Sequence, residues 1–151
     1  MFEDFSETSK KAIRAAEELA ERLEDGSVAT GHLVYGLTVD DGVVLHHIFK
    51  DLNVDPDMFS GYVESLPRES DMPDGNKHNR HVQTVLERAR ECAEELGSKV
   101  VLPEHIGIAL MSVKAGSCYE TLKEFSIDPE YVQMLILEAM GREAEDAPDW
   151  F

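Results

Sequence analysis

The stretch Ala29-Thr30-Gly31-His32-Leu33-Val34-Tyr35-Gly36-Leu37 returns, altered, as Leu102-Pro103-Glu104-His105-Ile106-Gly107-Ile108-Ala109-Leu110. The offset is 73 residues in a chain of 151, close to half its length. At that one offset, without gaps, eleven pairs are identical, among them Ala16/Ala89, Ala20/Ala93, Leu23/Leu96, Val28/Val101, His32/His105, Leu37/Leu110, Asp55/Asp128 and Pro56/Pro129. Others exchange one apolar residue for another, such as Ile13/Leu86 and Leu33/Ile106. A duplication is a strong constraint: what one half forms, the other forms too. Each half is too short to bury its own apolar faces well, which predicts two units packed about a pseudo-twofold axis.

The unit reads as four helices. Over residues 6–24, Ile13, Ala16, Ala20 and Leu23 share one helical face. Ser6 can cap this helix, with Glu7 just inside its positive end. Phe2 and Phe5 precede the cap and can fold back on the first turn. Thr30 is expected to cap a second helix with Leu33, Val34 and Leu37 on its buried face. A third helix is expected from Gly42 to about Asp51. Asp55-Pro56 caps and opens a fourth, with Met58, Phe59, Tyr62, Val63 and Leu66 apolar.

Residues 67–77 are polar, with two prolines and a glycine, and read as a linker. The same grammar restarts at His78. Val82, Val85, Leu86, Ala89, Ala93 and Leu96 form a stripe. Pro103 opens a sixth helix, and residues 116–125 form a seventh. Asp128-Pro129 opens an eighth, with Tyr131, Val132, Leu135, Ile136 and Ala139 apolar. The expected architecture is all-α: eight helices in one compact domain, with a first repeat at 1–66, a linker at 67–77, a second repeat at 78–141 and an acidic, mobile tail at 142–151.

Net charge is -17, with 31 acidic residues against 14 basic. That field repels phosphate backbones and anionic lipid surfaces, so nucleic-acid and membrane partners are not expected. It favours cationic peptides or a basic face on a larger protein. No apolar run approaches the roughly 20 residues that span a bilayer. The acidic start Met1-Phe2-Glu3-Asp4 has no signal-peptide character, so a cytoplasmic location is expected. Cys92 and Cys118 fall in helical patterns and read as core residues rather than a disulfide.

The histidines invite a metal or small-ligand reading, and a ligand-sensing helical bundle is the alternative function they suggest. Adjacent His46 and His47 point about 100° apart on a helix and chelate poorly together. His78 and His81 share a face but lack a third ligand at a recognisable spacing, so no metal site or cofactor is assigned. No Ser or Cys stands at a motif spacing from a His and an acid, so the chain is not expected to be an enzyme. His32 and His105, next to Thr30 and Pro103, are expected to fix the two helix openings structurally.

Several of these features together resemble the amino-terminal domain of the Clp ATPases, the Clp repeat family, and its ClpC type in particular. The carriers are Met1-Phe2 with Phe5-Ser6-Glu7, the Ala16-x-Glu-Glu-x-Ala-x-x-Leu23 helix, Thr30-Gly31-His32-Leu33, Leu96-Gly97 and Pro103-Glu104-His105-Ile106. The resemblance covers residues 1–141. It implies a non-catalytic double four-helix repeat that recruits Clp clients or adaptors for the ATPase ring in regulated proteolysis or disaggregation. For the ClpC type it also implies recognition of phosphorylated arginine, one site per repeat.

No Gly-x-x-x-x-Gly-Lys-(Ser/Thr) is present, and Asp149-Trp150-Phe151 reads as a natural end, which together suggest a stand-alone adaptor or a decoy. Two departures from the family pattern bear on the site. Where the family carries Thr-Glu-His at both openings, this chain has Gly31 in the first and Glu104 in the second. The family's Phe-Thr-x-Arg is Phe5-Ser6-Glu7-Thr8 and His78-Asn79-Arg80-His81, without the matching Arg. The resemblance therefore implies a working site in the second repeat, with Glu104 as carboxylate partner of a guanidinium. Asn79 and Arg80 are the candidates at the second opening, and Phe2, Ser6 and Glu7 at the first.

Overall fold

A computed structural model describes residues 2–67 and 77–141. The linker core at 68–76 and the tail at 142–151 lie outside the described residues. Among the described residues there are eight helices: α1 Glu7–Arg22, α2 Thr30–Thr38, α3 Val44–Asp51, α4 Pro56–Ser65, α5 Arg80–Glu95, α6 Pro103–Ser112, α7 Gly116–Glu124 and α8 Pro129–Ala139.

The two long helices follow the sequence periodicity. α1 buries Ser9, Ala12, Ile13, Ala16, Leu19 and Ala20, and α5 buries Val82, Val85, Leu86, Ala89, Cys92 and Ala93, the same six places at the 73-residue offset. Side-chain caps come from Ser6, Asp55, Asn79 and Asp128. α2 and α6 behave differently. They are buried nearly all round and form the centre of the molecule, each covered by its own long helix and by elements of the other repeat. A helix covered on every side has no polar stripe for sequence periodicity to detect.

The halves are joined by exchange. The segment before α1 bridges to the segment before α6 at Phe5 and Val101, and the segment before α5 bridges to the segment before α2 at His78 and Val28. Each bridge is the image of the other at the 73-residue offset. Their backbone bonds match: Ser6 N donates to Val101 O at 3.0 Å and Asn79 N to Val28 O at 3.0 Å. α3 packs on α8 and α4 on α7, again across the repeats. Phe49 and Phe59 are fully buried with ring centroids 5.7 Å apart, and Phe59 stacks on Phe125 at 6.4 Å, which ties α4 to the end of α7. Burial of such rings is the main stabilising term, at about 25 cal/mol per Å² removed from water.

Four local expectations are corrected. Thr30 is the first residue of α2 rather than its cap, because Ala29 holds the extended cap conformation. α3 begins at Val44, since residues 40–43 turn with Val43 N bonded to Asp40 O. Met58 and Tyr131, images of each other, face solvent because the inward rows are Phe59/Val63 and Val132/Ile136, one position later and rotated by about 100°. Ala139, on the last turn of α8, is exposed as well.

Both cysteines are free and buried. Burial, reinforced by the charge of Glu95, pushes the Cys92 thiol up to about 12. Because the thiolate is the reactive species, Cys92 is expected to resist a thiol reagent in the folded protein at pH 8 and to react on unfolding in urea. Rapid stoichiometric labelling without denaturant would contradict that burial.

Candidate junction of helix N-termini

The histidines are committed to the openings they stand in. His32 Nδ1 accepts from Ala29 N at 2.9 Å, and His105 Nδ1 accepts from Leu102 N at 2.9 Å. An Nδ1 that accepts carries no proton, so each neutral ring has its hydrogen on Nε2. In His32 that hydrogen points at Asp25 Oδ2, 2.7 Å away. The other histidines diverge: His46 Nδ1 lies 2.6 Å from Thr38 O and His47 Nε2 2.6 Å from Asp41 O. His78 Nε2 contacts Glu17 Oε2 at 3.1 Å. This geometry gives the pair at 46–47 no common metal position.

Pairing across the repeats regroups the candidate residues. Ser6, followed by Glu7, comes beside the segment leading into α6, while Asn79, followed by Arg80, comes beside the segment leading into α2, and the Phe2 ring lies 6.1 Å from that of His78. Ser6 and Asn79 act as caps, accepting from Ser9 N at 3.1 Å and from Val82 N at 2.9 Å. Asn79 is fully buried, Arg80 is exposed, and Glu7 is exposed and paired with Lys10 at 3.3 Å. Phe2 packs edge-on against Phe5, with centroids 5.1 Å apart, beside a depression otherwise walled by Glu3, Lys10, Ile13, Arg14 and Glu17. Asn79→Ala is expected to cost about 1 kcal/mol of stability, as cap removal does, with no change in ligand affinity. Urea denaturation and a binding titration of the same variant check both halves of that expectation.

Glu104 is the second residue of α6, behind Pro103. Its side chain is partly buried, and Oε2 is shielded from solvent without a hydrogen-bond partner among the described residues. Burial raises its pKa, against the pull of its own backbone N–H. α6 packs against α3, and neither helix has a side-chain cap bond at its N-terminus. Glu104 thus stands in the first turn of α6, at the positive end of the helix, with one carboxylate oxygen shielded and unpartnered among the described residues.

The image of this junction is built differently. At α2 and α7, Gly31 N donates to Ser117 Oγ at 2.9 Å and Cys118 N donates to Thr30 Oγ1 at 3.0 Å. A Cβ on Gly31 would lie 2.6 Å from a Val63 methyl and 2.8 Å from Ser117 Oγ. Sequence reasoning missed Ser117 and Val63. The visible signal is in the pairs Thr30/Pro103 and Val44/Ser117, each with a hydroxyl in one member only, the first copy's in one pair and the second copy's in the other.

The model for the Clp repeat (R) N-terminal domain matches residues 4–125 and again, overlapping, residues 77–149. The chain belongs to the Clp repeat N-terminal domain family. This Clp repeat domain is 25% identical over 142 residues to the negative regulator of genetic competence ClpC/MecB of Bacillus subtilis, matching 93% of the chain and 18% of that relative. It is 24% identical over 151 residues to the chloroplastic chaperone protein ClpC of Pisum sativum, matching 96% of the chain and 16% of that relative. The chain thus spans under a fifth of the length of these two curated relatives.

Among solved structures, the domain superposes on the N-terminal domain of the caseinolytic protease associated chaperone ClpD from Arabidopsis thaliana with a TM-score of 0.77 at 23% identity, covering 93% of this chain and 97% of that one. The N-terminal domain of Hsp104 from Candida albicans gives 0.75 at 19% identity, covering 98% and 99%. These likenesses establish the shared all-α double-repeat fold. Among the described residues no helix is long and apolar enough to cross a membrane.

Proposed function

We propose that this Clp repeat domain is a non-catalytic docking module of the Clp protease and chaperone system. In this reading it receives arginine-bearing segments of clients, adaptors or the ATPase itself at the α3/α6 junction. The observation that carries the reading is Glu104: a carboxylate oxygen withdrawn from water and left without a partner among the described residues. Such a group costs free energy until a donor reaches it. A guanidinium supplies two parallel N–H donors in the plane a carboxylate accepts, and a phosphate on it would lie toward the helix N-termini. The net charge of -17 adds long-range attraction for a basic segment. The same site would serve a recruiting adaptor and a decoy alike. A metal-sensing role gains no support from the diverging His46 and His47.

The test is fluorescence anisotropy with three otherwise identical peptides carrying one phosphoarginine, one arginine or one lysine. Binding is expected in that order, weakening with salt, and weakened roughly 10- to 100-fold in Glu104→Gln. Equal binding of the lysine peptide, or binding indifferent to Glu104, would remove the reading.

A further inference from the structure

We infer that this Clp repeat domain is monovalent: its α2/α7 junction is closed by its own residues, leaving one arginine-accepting junction where the duplication would provide two. The inference rests on the arginine reading of Glu104 for the open junction. The closure stands on separate geometry.

A site of this kind needs unspent donors, an unspent acceptor and space. At α2/α7 the donors are spent. Gly31 N–H goes to Ser117 Oγ and Cys118 N–H to Thr30 Oγ1, so the two helix N-termini cap each other across the repeats. Thr30, Gly31, Ser117 and Cys118 are all buried. The nearby carboxylate is spent too, because Asp25 holds the Nε2–H of His32 at 2.7 Å. Space is missing as well: the cavity lined by Asp25, Ala29, His32, Val63 and Ser117 holds about 20 Å³. That is room for one water and far too little for a guanidinium. Gly31 is consequently required rather than merely tolerated, since its missing Cβ is what lets Val63 and Ser117 close.

The other junction cannot close this way. Thr30 is replaced by Pro103 and Ser117 by Val44, so neither hydroxyl that makes the mutual cap exists there. Gly31 is replaced by Glu104, which brings the carboxylate. The three differences act together: the two hydroxyls that seal the α2/α7 junction are missing from its image, and the carboxylate is present only in that image. A single-site domain gains nothing from a second arginine on the same peptide, because avidity needs two sites that can be engaged at once.

Calorimetric titration of the full chain with free phosphoarginine reads the stoichiometry. One equivalent is expected, with Glu104→Gln removing at least nine-tenths of the heat. Two equivalents, or binding retained in Glu104→Gln with nuclear magnetic resonance shifts confined to Gly31 and Ser117, would overturn monovalency while leaving arginine recognition standing. Hydrogen exchange reads the closure without any ligand. The Gly31 and Cys118 amides are expected to exchange roughly a thousandfold or more slowly than unstructured amides, as buried bonded groups do. Fast exchange at both would overturn the closure. If phosphoarginine fails to bind at all, slow exchange at these amides still upholds the sealed junction, and the arginine reading alone is lost.

Discussion

A Gly36→Ala variant is expected to lose about 3 kcal/mol or more of unfolding free energy, a large part of what a domain of this size has. The cause is the crossing of α1 over α2. A Cβ at Gly36 would sit 2.1 Å from Ala12 O and 3.2 Å from Ala16 N, both backbone atoms of α1. Backbone cannot rotate out of the way as a side chain can, so the helices must separate along their contact. Ala12, Ala16 and Gly36 are the small residues that set this close approach, and all lie in the core region. The image position supplies the control. Ala109 is fully buried in α6, where a methyl group already fits. Ala109→Gly should cost only about 1–2 kcal/mol, from lost helix propensity and a lost methyl. Urea denaturation of the two variants compares the crossings; equal losses would show that they are not different.

Glu104→Gln is expected to move binding and stability in opposite directions. Affinity for an arginine-bearing peptide should fall roughly 10- to 100-fold, the worth of a hydrogen bond to a charged partner. Stability at pH 7 should rise. Burial raises the pKa of Glu104 in the folded state. Below the ordinary carboxylate range the group is protonated whether the chain is folded or not, and contributes no difference. As pH climbs through that range the unfolded chain ionises first and is favoured, so the ionised carboxylate weighs against the fold above its raised pKa. The Gln variant escapes this, and its advantage should vanish as pH falls below the ordinary carboxylate range. A guanidinium selects the ionised form. Binding should therefore weaken on acidification through the raised range and release a proton within it, visible as a buffer-dependent heat. A Gln variant less stable than the parent at pH 7 would show that Glu104 has a structural partner.

The repeat made much of this legible in advance. The stripes of α1 and α5 and the caps at Ser6, Asp55 and Asp128 follow from spacing and residue type alone. What sequence could not supply is which helix end meets which. Thr30 looks like a cap by local chemistry, yet its hydroxyl serves Cys118, 88 positions away. Val63 and Ser117 carry no motif, and they matter only because the exchange of segments brings α4 and α7 onto α2. Asn79 is a candidate by the family's helix-opening pattern, and its role as the buried cap of α5 shows only in the structure. Gly31 and Glu104 differ visibly in sequence, but that Val63 and Ser117 close over Gly31 shows only in the packing.

The measurement that bears most directly on the central claim is a nuclear magnetic resonance titration of the full chain with a phosphoarginine peptide, following backbone amide shifts. Shifts centred on Val44, Leu45, Glu104 and His105, saturating together and absent in Glu104→Gln, are the result expected. Saturable shifts centred elsewhere, on the acidic face of α1 or at Gly31 and Ser117, with Glu104 and its neighbours unmoved, would contradict it.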